Sequence, residues 1–356
     1  MNKRIKYIDA LRGFSMILVV WGHVMLYMGL GGYNTVLGSV FLTFRMPMFF
    51  FLSGYIAYKG IERWNLSFYK QMMRKKAFVQ IVPALIFFTL FTICHHGSFN
   101  VLDTGWGGYW FTFVLFEMFC IYFTMSLISK YTTPLVLDVS MIVFSLLGIA
   151  WLGISSRNGA LDSFLCTENL AKYFQFFTFG VIAKKYNNLF LKLISYDYVR
   201  ATIITAFIIF LVISINSIYT ISNPLMHSFV HDEMVRYAGL MTIFIFFFIK
   251  KDFFDTSNYI TDSLSFIGRR TLDIYLLHYF LVPQMPWFTS YLDSSNVVLL
   301  QLIVSGLISL LVVAVCLLIS EIIRSSNTLA YFCFGAKTNN KNFINSEFLF
   351  RKRNSK

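Results

Sequence analysis

Between Asp9 and His23 the chain reads Asp-Ala-Leu-Arg-Gly-Phe-Ser-Met-Ile-Leu-Val-Val-Trp-Gly-His, an apolar run that nevertheless holds an acid, an arginine and a histidine. As a helix, this run places Arg12 and His23 on one face. Eleven steps of about 100° return to within about 20° of the starting direction, and at 1.5 Å per residue the two side chains stand about 16 Å apart along the axis. Asp9 lies one turn before Arg12 on nearly the same side, where the two can pair. A charge inside a bilayer costs several kcal/mol unless it is paired or faces a wet cavity. The face carrying Asp9, Arg12 and His23 is therefore expected to look into the protein, joining a point near one membrane surface to a point deep in the other half.

The rest of the chain supports a membrane setting. Of its 356 residues 57% are hydrophobic and 13% charged, against about 25% charged in a soluble domain; the mean hydropathy is +0.65. The expected fold class is all-α, a polytopic integral membrane protein. Runs able to cross a hydrocarbon core of about 30 Å need roughly 20 residues. Ten are expected: Ile8–Leu30, Val36–Tyr58, Ala77–Cys94, Tyr109–Ile128, Pro134–Gly153, Asn169–Ala183, Ala201–Tyr219, Met234–Ile249, Gly268–Met285 and Val297–Ile322. With the N-terminus inside, 25 of the 30 lysines and arginines fall on the cytoplasmic side, the asymmetry that orients membrane proteins. Both termini are then cytoplasmic. That distribution also removes the nucleic-acid reading of the net charge of +13. Residues 1–322 are expected to form the transmembrane domain and 323–356 a basic cytoplasmic tail near anionic headgroups. The first apolar run is too long for a cleavable signal and has no small-residue cleavage site after it.

Several further ionisable residues fall within or beside the spans. Arg45 lies in the second, where Pro47 is expected to interrupt the backbone ladder. Glu117 falls in the fourth, Lys172 in the sixth, Asp232 and Arg236 at the start of the eighth, and Asp273 and His278 in the ninth. The five cysteines, Cys94, Cys120, Cys166, Cys316 and Cys333, show no metal-type spacing and are read as packing residues. His95 with His96, and His227 with His231, lie in separate outer loops without a third ligand nearby, so no metal is expected. A histidine in a membrane cavity suits two tasks: taking a proton from a hydroxyl, or relaying protons in a transporter. The residues alone leave both open.

Four patches resemble the membrane-bound acyltransferase-3 family. They are Tyr7–Gly13 with the spacing Arg12, ten residues, His23; Phe-Arg-Met-Pro-Met-Phe-Phe-Phe-Leu-Ser-Gly-Tyr at Phe44–Tyr55; Tyr109–Leu115; and Ile-Gly-Arg-Arg-Thr-Leu-Asp-Ile-Tyr-Leu-Leu-His at Ile267–His278. Their order and spacing fit from about Tyr7 to Glu321. The resemblance implies an O-acyltransferase of a bacterial inner membrane that takes an acyl group, most often acetyl, from cytoplasmic acyl-CoA and places it on a hydroxyl of a surface glycan or lipid-linked sugar. It makes His23 the catalytic histidine, as general base or transient acyl carrier, with Arg12 as its motif partner and Asp9 holding Arg12. Arg45, Trp110, Glu117, Lys172 and His278 are the expected substrate contacts, and Arg63, Lys70, Arg74, Lys75 and Lys76 the expected contacts to the phosphates of acetyl-CoA.

Two departures from the family pattern are visible. Many members carry an Arg-x-x-Arg pair ahead of the proline here numbered Pro83, where this chain has Ala77 and Gln80. Either Arg74, Lys75 and Lys76 substitute, or the donor contacts differ. Some members add an extracytoplasmic esterase-like domain, and here the membrane domain alone is expected. The rival from another class is a transporter or flippase of a small acid or glycan intermediate, with His23, Glu117 and His278 as a proton relay. No inverted repeat or paired broken helices favour it.

Overall fold

The computed structural model describes residues 5–29, 43–95, 106–154, 160–215, 233–283 and 297–336. Among these every regular element is a helix: α1 (Lys6–Tyr27), α2 (Arg45–Ala57), α3 (Leu66–His95), α4 (Trp110–Tyr131), α5 (Pro134–Ile154), α6 (Ala160–Leu165), α7 (Thr167–Lys185), α8 (Asn187–Leu193), α9 (Asp197–Ile215), α10 (Val235–Ile249), α11 (Lys251–Asp255), α12 (Tyr259–Arg269), α13 (Thr271–Leu281), α14 (Val298–Ser325) and α15 (Asn327–Phe334). Asp232, His96, His227, His231, Arg157 and the tail from Lys337 lie outside the described residues.

Burial sorts the helices. In its most apolar stretch α1 is 61% buried inside the protein, whereas α5 is 22% buried. α5 turns Leu146 and Leu147 outward, and α14 turns Leu307, Leu311 and Leu318 outward. Apolar helices left uncovered by protein suit a hydrocarbon solvent, and their backbone polar groups are satisfied within each helix. α1 is the central element.

Two close crossings hold the centre together. On α1, a Cβ at Gly13 would overlap the Leu264 carbonyl of α12; reciprocally, a Cβ at Gly268 would overlap the Asp9 carbonyl. The same arrangement joins α2 and α7: Gly54 lies under the Phe177 carbonyl and Gly180 under that of Phe51. Small residues at such crossings let backbones approach where apolar burial alone gives no advantage over lipid.

Five helices among the described residues are long and apolar enough to cross a membrane: α1, α3, α4 with its preceding turn, α5 and α14. A sixth results if α8 and α9, bent by 77° at their junction, count together. The remaining apolar runs differ for physical reasons. α7 carries Glu168, Lys172, Lys184 and Lys185 in 19 residues. α10 has 15 residues, and the ninth run breaks at Arg270, leaving α13 with 11, about 16 Å of helix. Pro47 sits in the first turn of α2, which begins at Arg45 after a turn at Phe44, so its missing N–H has no intrahelical partner to lose; residues 36–42 of the expected second span lie outside the described residues.

α13 is locked to α14 by charge. Asp273, 1% exposed, accepts from Arg324 Nε at 2.7 Å and Nη2 at 2.8 Å, and from the Ser320 hydroxyl. Arg270 pairs with Glu321 at 2.8 Å. α15 then folds back on α3, with the Tyr331 ring 4.3 Å from that of Phe78. The stretch that begins the expected tail is thus packed against the helical body as far as Ala336.

Candidate active site

The α1–α12 crossing and the α13–α14 ion pairs bring three chain segments to one point. On α1, His23 is half-buried. Its Nδ1 lies 2.9 Å from Nε2 of His278 on α13, and the rings stack with centroids 5.0 Å apart. Its Nε2 lies 3.4 Å from the Tyr279 hydroxyl, which donates to the Gly108 carbonyl at 2.9 Å. Tyr275 donates to the same carbonyl at 2.6 Å. The turn before α4 is thereby pinned to α13. Arg45, at the start of α2, donates to the Val19 carbonyl one turn before His23, at 3.5 Å.

Eleven residues earlier on α1, Arg12 donates to the Thr271 hydroxyl at 2.9 Å, and its guanidinium lies 3.9 Å from Asp9. Asp9 is 5% exposed. Lys76, on α3, lies within electrostatic reach of Arg12, Lys59 and Lys75. Its ammonium sits 3.6 Å from the centre of the Phe119 ring, a cation–π contact that keeps a charge where an apolar wall surrounds it. Lys59 follows α2. Burial first, and then Arg63 and Lys75, push its ammonium below the ordinary lysine range.

One cavity of about 550 Å³ is lined by both groups: Arg12, Lys59, Lys75 and Lys76 with Thr271 around one part, and His23, Arg45, Trp110, Tyr173 and Tyr279 around the other. Met16, Val19, Leu115 and Phe49 are among the apolar residues of its wall. Gln80 lines it too. This side chain is 6% exposed, and its Oε1 has no hydrogen-bond partner among the described residues. A cluster of cations joined by an apolar passage to a histidine suits a ligand that is anionic at one end and reactive at the other.

A family model described as an acyltransferase domain, of the acyltransferase-3 type, matches residues 5–321. The chain belongs to the acyltransferase-3 family. No curated protein and no solved structure matches it at a significant level. The family and the apolar helices together make it a multi-pass membrane acyltransferase.

In this acyltransferase-3 chain the residues singled out from sequence are not all gathered at the cavity. Arg12, His23, Arg45, Trp110, Lys75 and Lys76 line it. Asp9 stands behind Arg12. His278 is fully buried behind His23 and is absent from the cavity wall. Glu117 and Lys172 also lie off the wall. Glu117 is half-buried on α4, and its Oε2 has no partner among the described residues. Lys172 lies 5.8 Å from the ring of Tyr173, which does line the cavity. Arg63, Lys70 and Arg74 are exposed outside it. Among the described residues no three His, Cys, Asp or Glu side chains converge as metal ligands.

Sequence reasoning missed Lys59, Gln80, Thr271, Tyr275 and Tyr279 as lining residues. For the α13 group a signal existed: Thr271, Tyr275, His278 and Tyr279 fall at i, i+4, i+7 and i+8, one stripe of a helix. For Lys59 and Gln80 no local pattern marks them, because they reach the cavity only through the packing of α2 and α3 against α1.

Proposed function

We propose that the protein is an O-acyltransferase that moves an acyl group, acetyl by family resemblance, from cytoplasmic acyl-CoA to a hydroxyl of an extracytoplasmic cell-surface glycan. The observation that carries this reading is the single cavity shared by the cations Arg12, Lys59, Lys75 and Lys76 and by His23 with Arg45. The phosphates of the donor would take charge-assisted contacts from the cationic part. Its thioester would reach toward His23 along the apolar passage. Gln80 Oε1, buried and open, would accept an amide N–H of the donor's pantetheine arm, since a buried acceptor left unpaired costs free energy. Trp110 and Tyr173, whose rings stack 5.8 Å apart, would form the wall against which a sugar packs.

His23 would take the proton of the acceptor hydroxyl as its oxygen attacks the thioester carbonyl. A C–O bond forms, Arg45 stabilises the developing oxyanion, and the C–S bond breaks, the proton passing from His23 to the departing thiolate. An acyl-histidine on His23 is the alternative route to the same products. In this proposal ten spans form the membrane domain, 1–322, with both ends and the basic stretch 323–356 cytoplasmic, in a bacterial inner membrane.

The test compares surface glycans by mass spectrometry in wild type, a deletion, and the deletion carrying His23→Ala. Loss of one acetyl mass increment in both the deletion and the mutant is expected, with the mutant present in the membrane at wild-type level. Acetylated glycan from His23→Ala would sink the role of His23. Normally decorated glycan retained inside the deletion strain would replace transfer by transport.

A further inference from the structure

We propose that His278 is a positioning residue: it holds His23 as the tautomer protonated on Nδ1 and turns the lone pair of His23 Nε2 toward the cavity. The use of that lone pair rests on the transfer reaction proposed above; the tautomer itself does not.

A carbonyl oxygen accepts hydrogen bonds and cannot donate. His278 Nδ1 lies 3.1 Å from the Ile274 carbonyl, so that nitrogen carries the proton. The residues are four apart on α13, and the carbonyl has a second lone pair to offer beyond its helical bond. The His278 ring is fully buried among Tyr275, Tyr279 and His23. In a neutral imidazole, one nitrogen donates and the other accepts. His278 Nε2 is therefore an acceptor, and what lies 2.9 Å from it is His23 Nδ1. That bond requires the proton on His23 Nδ1, and His23 Nε2 keeps its lone pair.

The remaining neighbour of His23 Nε2 does not take that lone pair away. Tyr279 has one hydroxyl proton. It stands 2.9 Å from the Gly108 carbonyl and 3.4 Å from His23 Nε2. The shorter bond, to an oxygen that only accepts, holds the proton. His23 and Tyr279 both line the cavity, so the lone pair is presented to whatever hydroxyl enters there. A base oriented by a third group is the general form of an activated nucleophile site. Here the orienting group is a second histidine, itself oriented by the backbone of its own helix. This explains why His278 lies off the cavity wall: it acts through His23.

Two measurements on the detergent-purified full chain test this. The first is the ¹⁵N spectrum of histidine-labelled protein. The chain has six histidines, and the difference spectrum against His23→Asn identifies the signals of His23. The expected result is a pyrrole-type Nδ1 and a pyridine-type Nε2 in the wild type, with that preference lost in His278→Phe. A wild-type His23 protonated on Nε2 overturns the proposal, whatever the activity.

The second is turnover with radiolabelled acetyl-CoA and envelope membranes as acceptor. His278→Phe keeps the ring volume and removes both nitrogens. His278→Gln restores an acceptor near the position of Nε2. His278→Phe is expected to lower kcat by about 10²-fold, with KM for acetyl-CoA changed by less than about twofold. His278→Gln is expected to recover about tenfold of that loss. Equal losses in the two variants, or a loss carried by KM, overturn the proposal. If His278→Phe does not fold, the wild-type spectrum decides alone. If the wild type itself transfers no acetyl group, the proposed function fails and the nitrogen spectrum still decides the tautomer.

Discussion

Arg12 and His23 show how far one helix constrains its own side chains. Their shared face follows from 3.6 residues per turn and requires no partner. What each residue does depends on neighbours. Arg12 rests on Thr271 from α13, and His23 on His278, 255 positions away. Lys59 carries a separate expectation at this scale. Its ammonium is held below the usual lysine range by burial, Arg63 and Lys75, so it loses its proton earlier than an ordinary lysine as pH rises. An anionic donor then loses one cationic contact. KM for acetyl-CoA is expected to rise about tenfold as pH climbs toward the ordinary lysine value of about 10.4, the rise starting at lower pH than for an unperturbed lysine, and Lys59→Arg, charged throughout, to flatten it. A KM independent of pH in the wild type would remove Lys59 from the donor contacts.

At the level of elements, α13 carries much of the site. Thr271, Tyr275, His278 and Tyr279 all project from it, so its placement against α1 sets the geometry around His23. That placement is held by the Asp273–Arg324 pair to α14, backed by Arg270 and Glu321. Asp273→Ala leaves the Arg324 guanidinium, 9% exposed, without its bidentate partner. A stability loss of about 3–5 kcal/mol is expected, read as a lowered midpoint in thermal unfolding of the detergent-solubilised protein. Unfolding unchanged from wild type would mean that other contacts hold α13. The second shaping element is the α1–α12 crossing, where Gly13 and Gly268 let backbones meet. The Asp9–Gly13 and Ile267–Arg270 motifs are therefore two sides of one contact, which the chain order of the patches does not reveal.

Across the whole molecule, the cavity joins a cationic part to the histidine part through an apolar body. The proposed orientation makes these parts face opposite compartments. In a background lacking native cysteines, Ser163→Cys is expected to react with a membrane-impermeant thiol reagent on intact cells. Ser257→Cys is expected to react only after the membrane is opened. Both serines are exposed. The reverse pattern would invert the assignment of donor and acceptor sides. Net charge alone says little about partners, and its distribution along the chain much more.

The class of protein was determined by the sequence itself. Few charges and long apolar runs require a helical membrane protein, because the hydrophobic and backbone costs of a bilayer act on each segment separately. The Arg12–His23 face was equally readable, since helical periodicity is local. The lengths of the individual helices were not: among the described residues five, or six with the bent pair α8 and α9, are long and apolar enough to cross, and the ninth run is divided at Arg270. Nor was the company His23 keeps. His278, Tyr279, Lys59 and Gln80 meet one cavity only because α13, α2 and α3 pack around α1, and such contacts between distant segments leave no period in the sequence for local reasoning to detect.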